Sequence, residues 1–347
     1  MTRKERIKKI IHGELPDYTP HHFDLTLCIT DVLAKHYGYD REGVEDYIGN
    51  HLLQLDYTAP EGKDSGYRGN TTENARVVDE FGVEWDMSSN YNIGDWGMVG
   101  RPVKDLDFTG YVFPDGKGSG RFEKAKAVMA QYPDRFNVVR ITGPFDLGWH
   151  ITGFEDFMVA MATDEDLTFK ILDKTTEYII NVIEGIPEGV DAVRVIEDWG
   201  MQTGLLFSKS LWMKYIYPCY KEIHNAIRKK NMYVMHHSCG NITELFPEII
   251  ELGTDVIDAL QPEAMDVEFI KKEYGKDIVL FGALGSQSTI PTGTPEEIIR
   301  EAERTLALLG KGGKYIIGPA GSIPSETPLK NVIALVEFCM NLKDRGL

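Results

Sequence analysis

Val234-Met235-His236-His237-Ser238-Cys239-Gly240-Asn241 is an apolar run that ends abruptly in ligand-type side chains. Read as a strand over Tyr233–Ser238, it puts residues i and i+2 on one side, so the imidazole of His237 and the sulfur of Cys239 converge. Imidazole and thiolate are both good ligands for Zn²⁺. Seven more short apolar or β-branched runs flank this one: Tyr18–Asp24, Leu52–Tyr57, Val138–Thr142, Asp191–Ile196, Asp255–Leu260, Asp277–Gly282 and Tyr315–Ala320. Stretches of helical period separate most of them, over 153–185, Ser208–Lys230, Ile242–Leu252, Val267–Tyr274, Thr294–Leu309 and Leu329–Lys343. Eight strands alternating with helices predict an α/β fold of the (β/α)8 TIM barrel type.

The 347 residues fit one such barrel, so the chain reads as a single domain over 1–347. One segment, about 58–137, breaks the repeat after the second strand. Its Gly, Asp and aromatic content predicts an inserted excursion with small hairpins that covers the barrel mouth. Thr294-Pro295-Glu296-Glu297 carries an N-cap, a proline at the first helical position and acids in the first turn. Gly310-Lys311-Gly312-Gly313-Lys314 precedes a strand instead of following one, and so reads as a turn and not a phosphate loop.

A net charge of −17 argues against nucleic acid or an anionic membrane as partner. No apolar run reaches the roughly 18 residues of a membrane span, and the N-terminus reads as an amphipathic helix and not a signal sequence. Cys28, Cys219, Cys239 and Cys339 lack disulfide-framework spacing, as in a reducing compartment. The expectation is a cytoplasmic enzyme acting on a small molecule, compatible with a homo-oligomer.

Active sites of such barrels lie at the C-terminal strand ends. There the sequence places His21, His22 and Asp24 after the first strand, Glu197, Asp198 and Gln202 after the fourth, and His237, Cys239 and Asn241 after the fifth. Gln261 ends the sixth, Gln287 follows the seventh, and Glu326 follows the last. His237 and Cys239 are read as metal ligands. Glu197 and Asp198 are adjacent, so only one can face the interior while the other caps a helix or pairs with a cation; Asp198 is the choice for a substrate or metal neighbour. His22, Asp24, Gln202, Asn241, Gln261, Gln287 and Glu326 are candidate substrate contacts.

Several of these stretches together resemble the uroporphyrinogen decarboxylase superfamily, and within it the zinc-dependent, corrinoid-linked methyltransferases. They are Gly13-Glu14-Leu15-Pro16-Asp17, Gly143-Pro144-Phe145, Glu197-Asp198-Trp199-Gly200, His237-Ser238-Cys239-Gly240-Asn241, Gly253-Thr254-Asp255, Thr294-Pro295-Glu296-Glu297 and Thr327-Pro328. The decarboxylases carry an arginine-rich N-terminal loop that clamps tetrapyrrole carboxylates; here that region reads His21-His22-Phe23-Asp24-Leu25-Thr26-Leu27, without arginine. The resemblance therefore implies a methyltransferase. Its zinc would act as a Lewis acid on a methyl donor, and the acceptor cobalt would belong to a corrinoid carried by a partner protein.

The family pattern commonly includes a third cysteine ligand after the last strand, where this chain reads Gly318-Pro319-Ala320-Gly321-Ser322-Ile323. Glu197, Asp198 or Glu326 are the candidates to replace it, with Glu197 the expected third ligand and Asp198 and Glu197 the expected catalytic carboxylates. An aryl methyl ether is the expected donor, from the aromatics Tyr67, Phe81, Trp85, Tyr91 and Trp96, which read equally as the insertion's own core. Alternatives are decarboxylation of a small carboxylate with Arg140 and Arg194 as its cations, methylcobamide:thiol methyl transfer, and a binding protein without turnover.

Overall fold

The computed structural model describes residues 1–59, 76–86 and 97–345. Strand β1 (Leu52–Leu55) is followed by a small antiparallel sheet of β2 (Arg76–Val78), β3 (Glu84–Asp86) and β4 (Gly97–Gly100). Next come β5 (Phe136–Thr142), β6 (Ala192–Ile196), a short hairpin of β7 (Gly200–Met201) and β8 (Gly204–Leu205), then β9 (Tyr233–His237), β10 (Val256–Leu260), β11 (Val279–Leu284) and β12 (Tyr315–Pro319). The main sheet runs β1-β5-β6-β9-β10-β11-β12, every pair parallel.

The eighth position belongs to residues 20–25, between β12 and β1. The His22 amide donates to the Ile317 carbonyl (3.0 Å) and the Ile317 amide to that of Pro20 (2.9 Å), while the His51 amide donates to the His21 carbonyl (3.2 Å). The ring is thereby joined at the level of His21 and His51. The expected strand over Tyr18–Asp24 is reduced to two isolated bridges, His21 with Ile317 and Leu25 with Ile323. The reason is local: Pro20 has no amide to give a ladder, and the Phe23 amide goes to the Asn50 side chain (2.8 Å).

The barrel interior is layered. Leu52, Val138, Ala192, Met235, Val256, Val279 and Ile316 form an apolar floor, separate from the larger core under the outer helices. Helix α1 (Arg3–Ile11) plugs it from below with Ile7, Ile10 and Ile11, started by a capping box between Thr2 and Glu5. Two residues further along five of the strands the same alternation brings up Gln54, Arg140, Arg194, His237 and Asp258. A charged layer thus lies directly on an apolar one.

Helices α2 (Leu27–Tyr37) and α3 (Arg41–Tyr47) stand where no helix was expected, begun by the caps Thr26 and Asp40. The described part of the insertion is the β2-β3-β4 sheet with α4 (Glu123–Gln131). It packs on the helices that follow β5, namely α5 (Pro144–Thr152), α6 (Phe154–Thr163) and α7 (Glu165–Glu184). Phe81 lies edge-on to Tyr178 of α7 at 4.6 Å, Arg121 pairs with Glu80 (2.7 Å), and Arg101 pairs with Asp156 of α6 (2.7 Å). Phe81 and Trp85 are buried, the Trp85 indole donating to Asp79 (2.9 Å), which is the small-core role. Tyr67, Tyr91 and Trp96 lie outside the described residues.

Candidate metal centre

His237 ends β9 and Cys239 follows it, with His237 Nε2 3.5 Å from Cys239 Sγ. Asp198, in the loop after β6, brings Oδ1 to 3.9 Å from the same nitrogen. These three ligand atoms lie within 4.8 Å of one another. Two glycines make the meeting possible. Gly240 has φ +77°, and a Cβ there would collide with the Gly200 backbone, so the β7-β8 hairpin and the loop after β9 touch backbone to backbone. Across that contact the Cys239 amide donates to Asp198 Oδ1 (2.8 Å) and the Asn241 amide to the Met201 carbonyl (2.8 Å).

Tetrahedral zinc with one nitrogen, one sulfur and one oxygen ligand needs ligand atoms roughly 3.3–3.8 Å apart. The donor set fits zinc, and its spread of up to 4.8 Å narrows to that spacing with a movement of about 1 Å at Asp198. Three protein ligands leave one position open, as in catalytic zinc sites.

A chain of buried charge orients the histidine. His237 Nδ1 hydrogen-bonds Asp258 Oδ1, Arg194 donates to the same oxygen (2.5 Å), and Arg194 also donates to Asp24 Oδ2 (3.1 Å). Gln54 donates to Asp24 Oδ1 and accepts from Arg140 (2.8 Å), which pairs with Asp56 (2.6 Å). A carboxylate on Nδ1 presents Nε2 to the metal position and raises its basicity. Burial alone would push Asp258 up, but Arg194 and His237 outweigh it and hold the carboxyl below its usual range. Burial would likewise lower His237, yet Asp258 and Cys239 outweigh it and hold the imidazole well above its ordinary value. Metal binding must then displace a proton.

Glu197, expected as the third ligand, points elsewhere. Its carboxylate accepts the amides of Phe145 (2.5 Å) and Asp146 (3.1 Å) at the start of α5 and the indole N–H of Trp199 (2.7 Å). Gly143 leaves the space for it. Burial pushes Glu197 up to about 7, against the donors from Trp199 and the helix start. Asp146 takes the Trp149 indole N–H (2.8 Å), and burial together with the nearby Glu197 and Asp198 raises it well above its normal range.

Of the other candidates, His22 and Asp24 belong to the charged layer, the His22 ring meeting Asp24 (3.3 Å) and Gln54 (2.9 Å). His21 binds the Ile48 carbonyl (2.9 Å) and is structural. Gln261 accepts the Gly240 amide (2.6 Å) and Asn241 the Thr243 amide (3.1 Å), so both shape the loop that carries Cys239. Gln202 donates to the Glu263 carbonyl (2.8 Å), and the Gln287 amide donates to the Glu263 side chain (3.1 Å). Glu326 is exposed beside Ser325. None of these last three joins the metal group. Asp258, Gln54 and Asp146 had not been singled out. The readable signal for the first two is a polar residue two places after an apolar one in consecutive strands.

The uroporphyrinogen decarboxylase (URO-D) family model matches residues 138–342, and the chain belongs to that family. Among curated relatives, the methylated-thiol–coenzyme M methyltransferase of Methanosarcina mazei is 23% identical over 71% of this chain and 66% of its own length. The methylcobamide:CoM methyltransferase of Methanosarcina acetivorans is 23% identical over 71% of this chain and 70% of its own. A uroporphyrinogen decarboxylase of Rickettsia africae is 22% identical over 73% of each chain. A solved methyltransferase from Methanosarcina mazei superposes with a TM-score of 0.72 at 20% identity, covering 98% of both chains, which establishes the shared barrel fold. No helix among the described residues is long and apolar enough to cross a membrane.

Proposed function

We propose that this protein is a zinc-dependent methyltransferase that moves a methyl group from a small donor, an aryl methyl ether, to the cobalt of a corrinoid held by a partner protein. The observation that carries the reading is the convergence of His237, Cys239 and Asp198 at the barrel mouth, with Asp258 behind the imidazole. His237 and Cys239 would hold the metal on two sides and Asp198 on a third. Bound there, zinc would supply Lewis acidity to the donor's heteroatom, whose negative charge grows as the methyl group leaves.

The protein's own groups divide the remaining work. Asp258 and Arg194 fix the imidazole, and Asp198 is placed by the Cys239 amide. Asp146 lies close to Asp198, and a protonated Asp146 there would be able to return a proton to the demethylated product. The names of the methanogen relatives favour a second reading, in which the same site binds a thiol and methylcobamide is the donor.

Elemental analysis of untagged protein tests the metal: about one zinc per chain is expected in wild type and none in His237→Ala or Cys239→Ala. Incubation with reduced corrinoid protein and methoxybenzene, or with methylcobalamin and a thiol, then separates the two readings by which pair exchanges the methyl group. Absence of zinc after supplementation refutes both.

A further inference from the structure

The barrel wall is incomplete on one side. After the His51 to His21 bond, no backbone hydrogen bond joins β1 to residues 22–26 among the described residues. Side chains cross the gap, from Asn50 to Phe23 and from Gln54 to His22 and Asp24. A cleft of about 300 Å³ occupies this breach. Its lining includes Asp24, Gln54 and Arg140 of the charged layer, the apolar Phe23, Leu27, Leu53 and Val128, and Tyr132 and Arg135 just after α4. That volume stands at the lower end of small-molecule pockets, and apolar side chains share its wall with charged ones, the acids Glu42 and Glu45 among them.

The charges lining the cleft are not equally satisfied. Asp24 is held by Arg194 and Gln54, Arg140 by Asp56 and Gln54, and Arg41 by Asp31. Arg135 is different. Its side chain is 2% exposed, its Nε is buried without a partner, and its ion pair with the more exposed Glu45 is 3.4 Å long. Its Nη2 donates to the Leu52 carbonyl, and the guanidinium carbon lies 5.7 Å from the centre of the Tyr132 ring. Leaving a buried guanidinium donor unmade is costly, and a carboxylate is its natural bidentate partner.

We propose that this lateral cleft is a binding site for a small monocarboxylate with an apolar body, its acid group on Arg135 and its body among Phe23, Leu27, Leu53 and Val128. A ligand placed there abuts Asp24, which Arg194 joins to His237 by contacts of 3.1 Å on each side. The site needs no metal to form. It is therefore distinguishable from the methyltransferase reading, since the loss of either leaves the other measurable.

The test titrates benzoate, phenylacetate and isovalerate, with benzyl alcohol as uncharged control, into wild type, Val128→Trp, Arg135→Gln and Cys239→Ala by calorimetry. At least one acid is expected to bind wild type ten times more tightly than benzyl alcohol, to lose at least tenfold in Val128→Trp and Arg135→Gln, and to be unchanged within about twofold in zinc-free Cys239→Ala. Methyl NMR of wild type provides a readout that needs no variant: shifts should be confined to Leu27, Leu53, Val128 and their neighbours. Equal binding of acid and alcohol, full affinity in a folded Val128→Trp protein, or shifts elsewhere in the barrel would overturn the proposal.

Discussion

The two interior layers of this barrel share the same strands and differ by two residues of sequence, yet they do opposite things. Val138, Ala192, Met235 and Val256 are apolar and close-packed, and their contribution is area removed from water. Arg140, Arg194, His237 and Asp258 stand one step above and are buried just as deeply in part, so each charge depends on a specific partner. The upper layer holds its charges in pairs, Arg140 with Asp56, Arg194 with Asp24 and Asp258, and His237 with Asp258. Stability and chemistry are separated by one period of the β-strand.

The sharpest way to break that contrast is Asp258→Ala, which leaves Arg194 and His237 without their shared carboxylate. Metal-free protein should lose about 3–5 kcal/mol in urea denaturation. Asp258→Asn keeps the shape and should instead weaken zinc about 10–100-fold in competition with a chelator, because the imidazole loses its orienting charge. An undiminished zinc affinity would mean that His237 is held by other contacts.

Met235→Ala addresses the lower layer of the same strand. The expected cost is about 2–5 kcal/mol of unfolding free energy, with zinc affinity unchanged within about twofold. A parallel loss of metal would show the layers to be coupled and not stacked independently.

The smallest predicted effect concerns histidines outside the site. Burial lowers His21 and His224 to about 4, so the native state refuses protons that the unfolded chain accepts. Their contribution is complete above the unfolded value near 6.5 and is lost as pH falls toward 4, at up to about 1.4 kcal/mol per pH unit for each. His237 runs the other way, since its raised value makes its stabilisation fade as pH rises through it. Denaturation midpoints at pH 7, 6 and 5 for wild type and His224→Gln measure the first trend; a slope identical in both proteins would remove His224 from the account.

The sequence by itself determined the repeating pattern. Seven of the eight expected strands stand within a few residues of where apolar runs and turn residues placed them, because strand period and burial are local properties of the chain. The pairing of His237 with Cys239 was equally local, the last residue of one strand and the second residue beyond it. What lay beyond the sequence were the meetings between strands. Asp198 rather than Glu197 joins the metal group because the Gly200 and Gly240 backbones touch and Glu197 is drawn to the start of α5. Asp258 reaches His237 because β9 and β10 pair in one register out of several the chain permits. The breach beside β1 exists because Phe23 spends its amide on Asn50. Each depends on a contact between residues far apart in the chain, and such contacts are decided by packing and register, which no local pattern encodes.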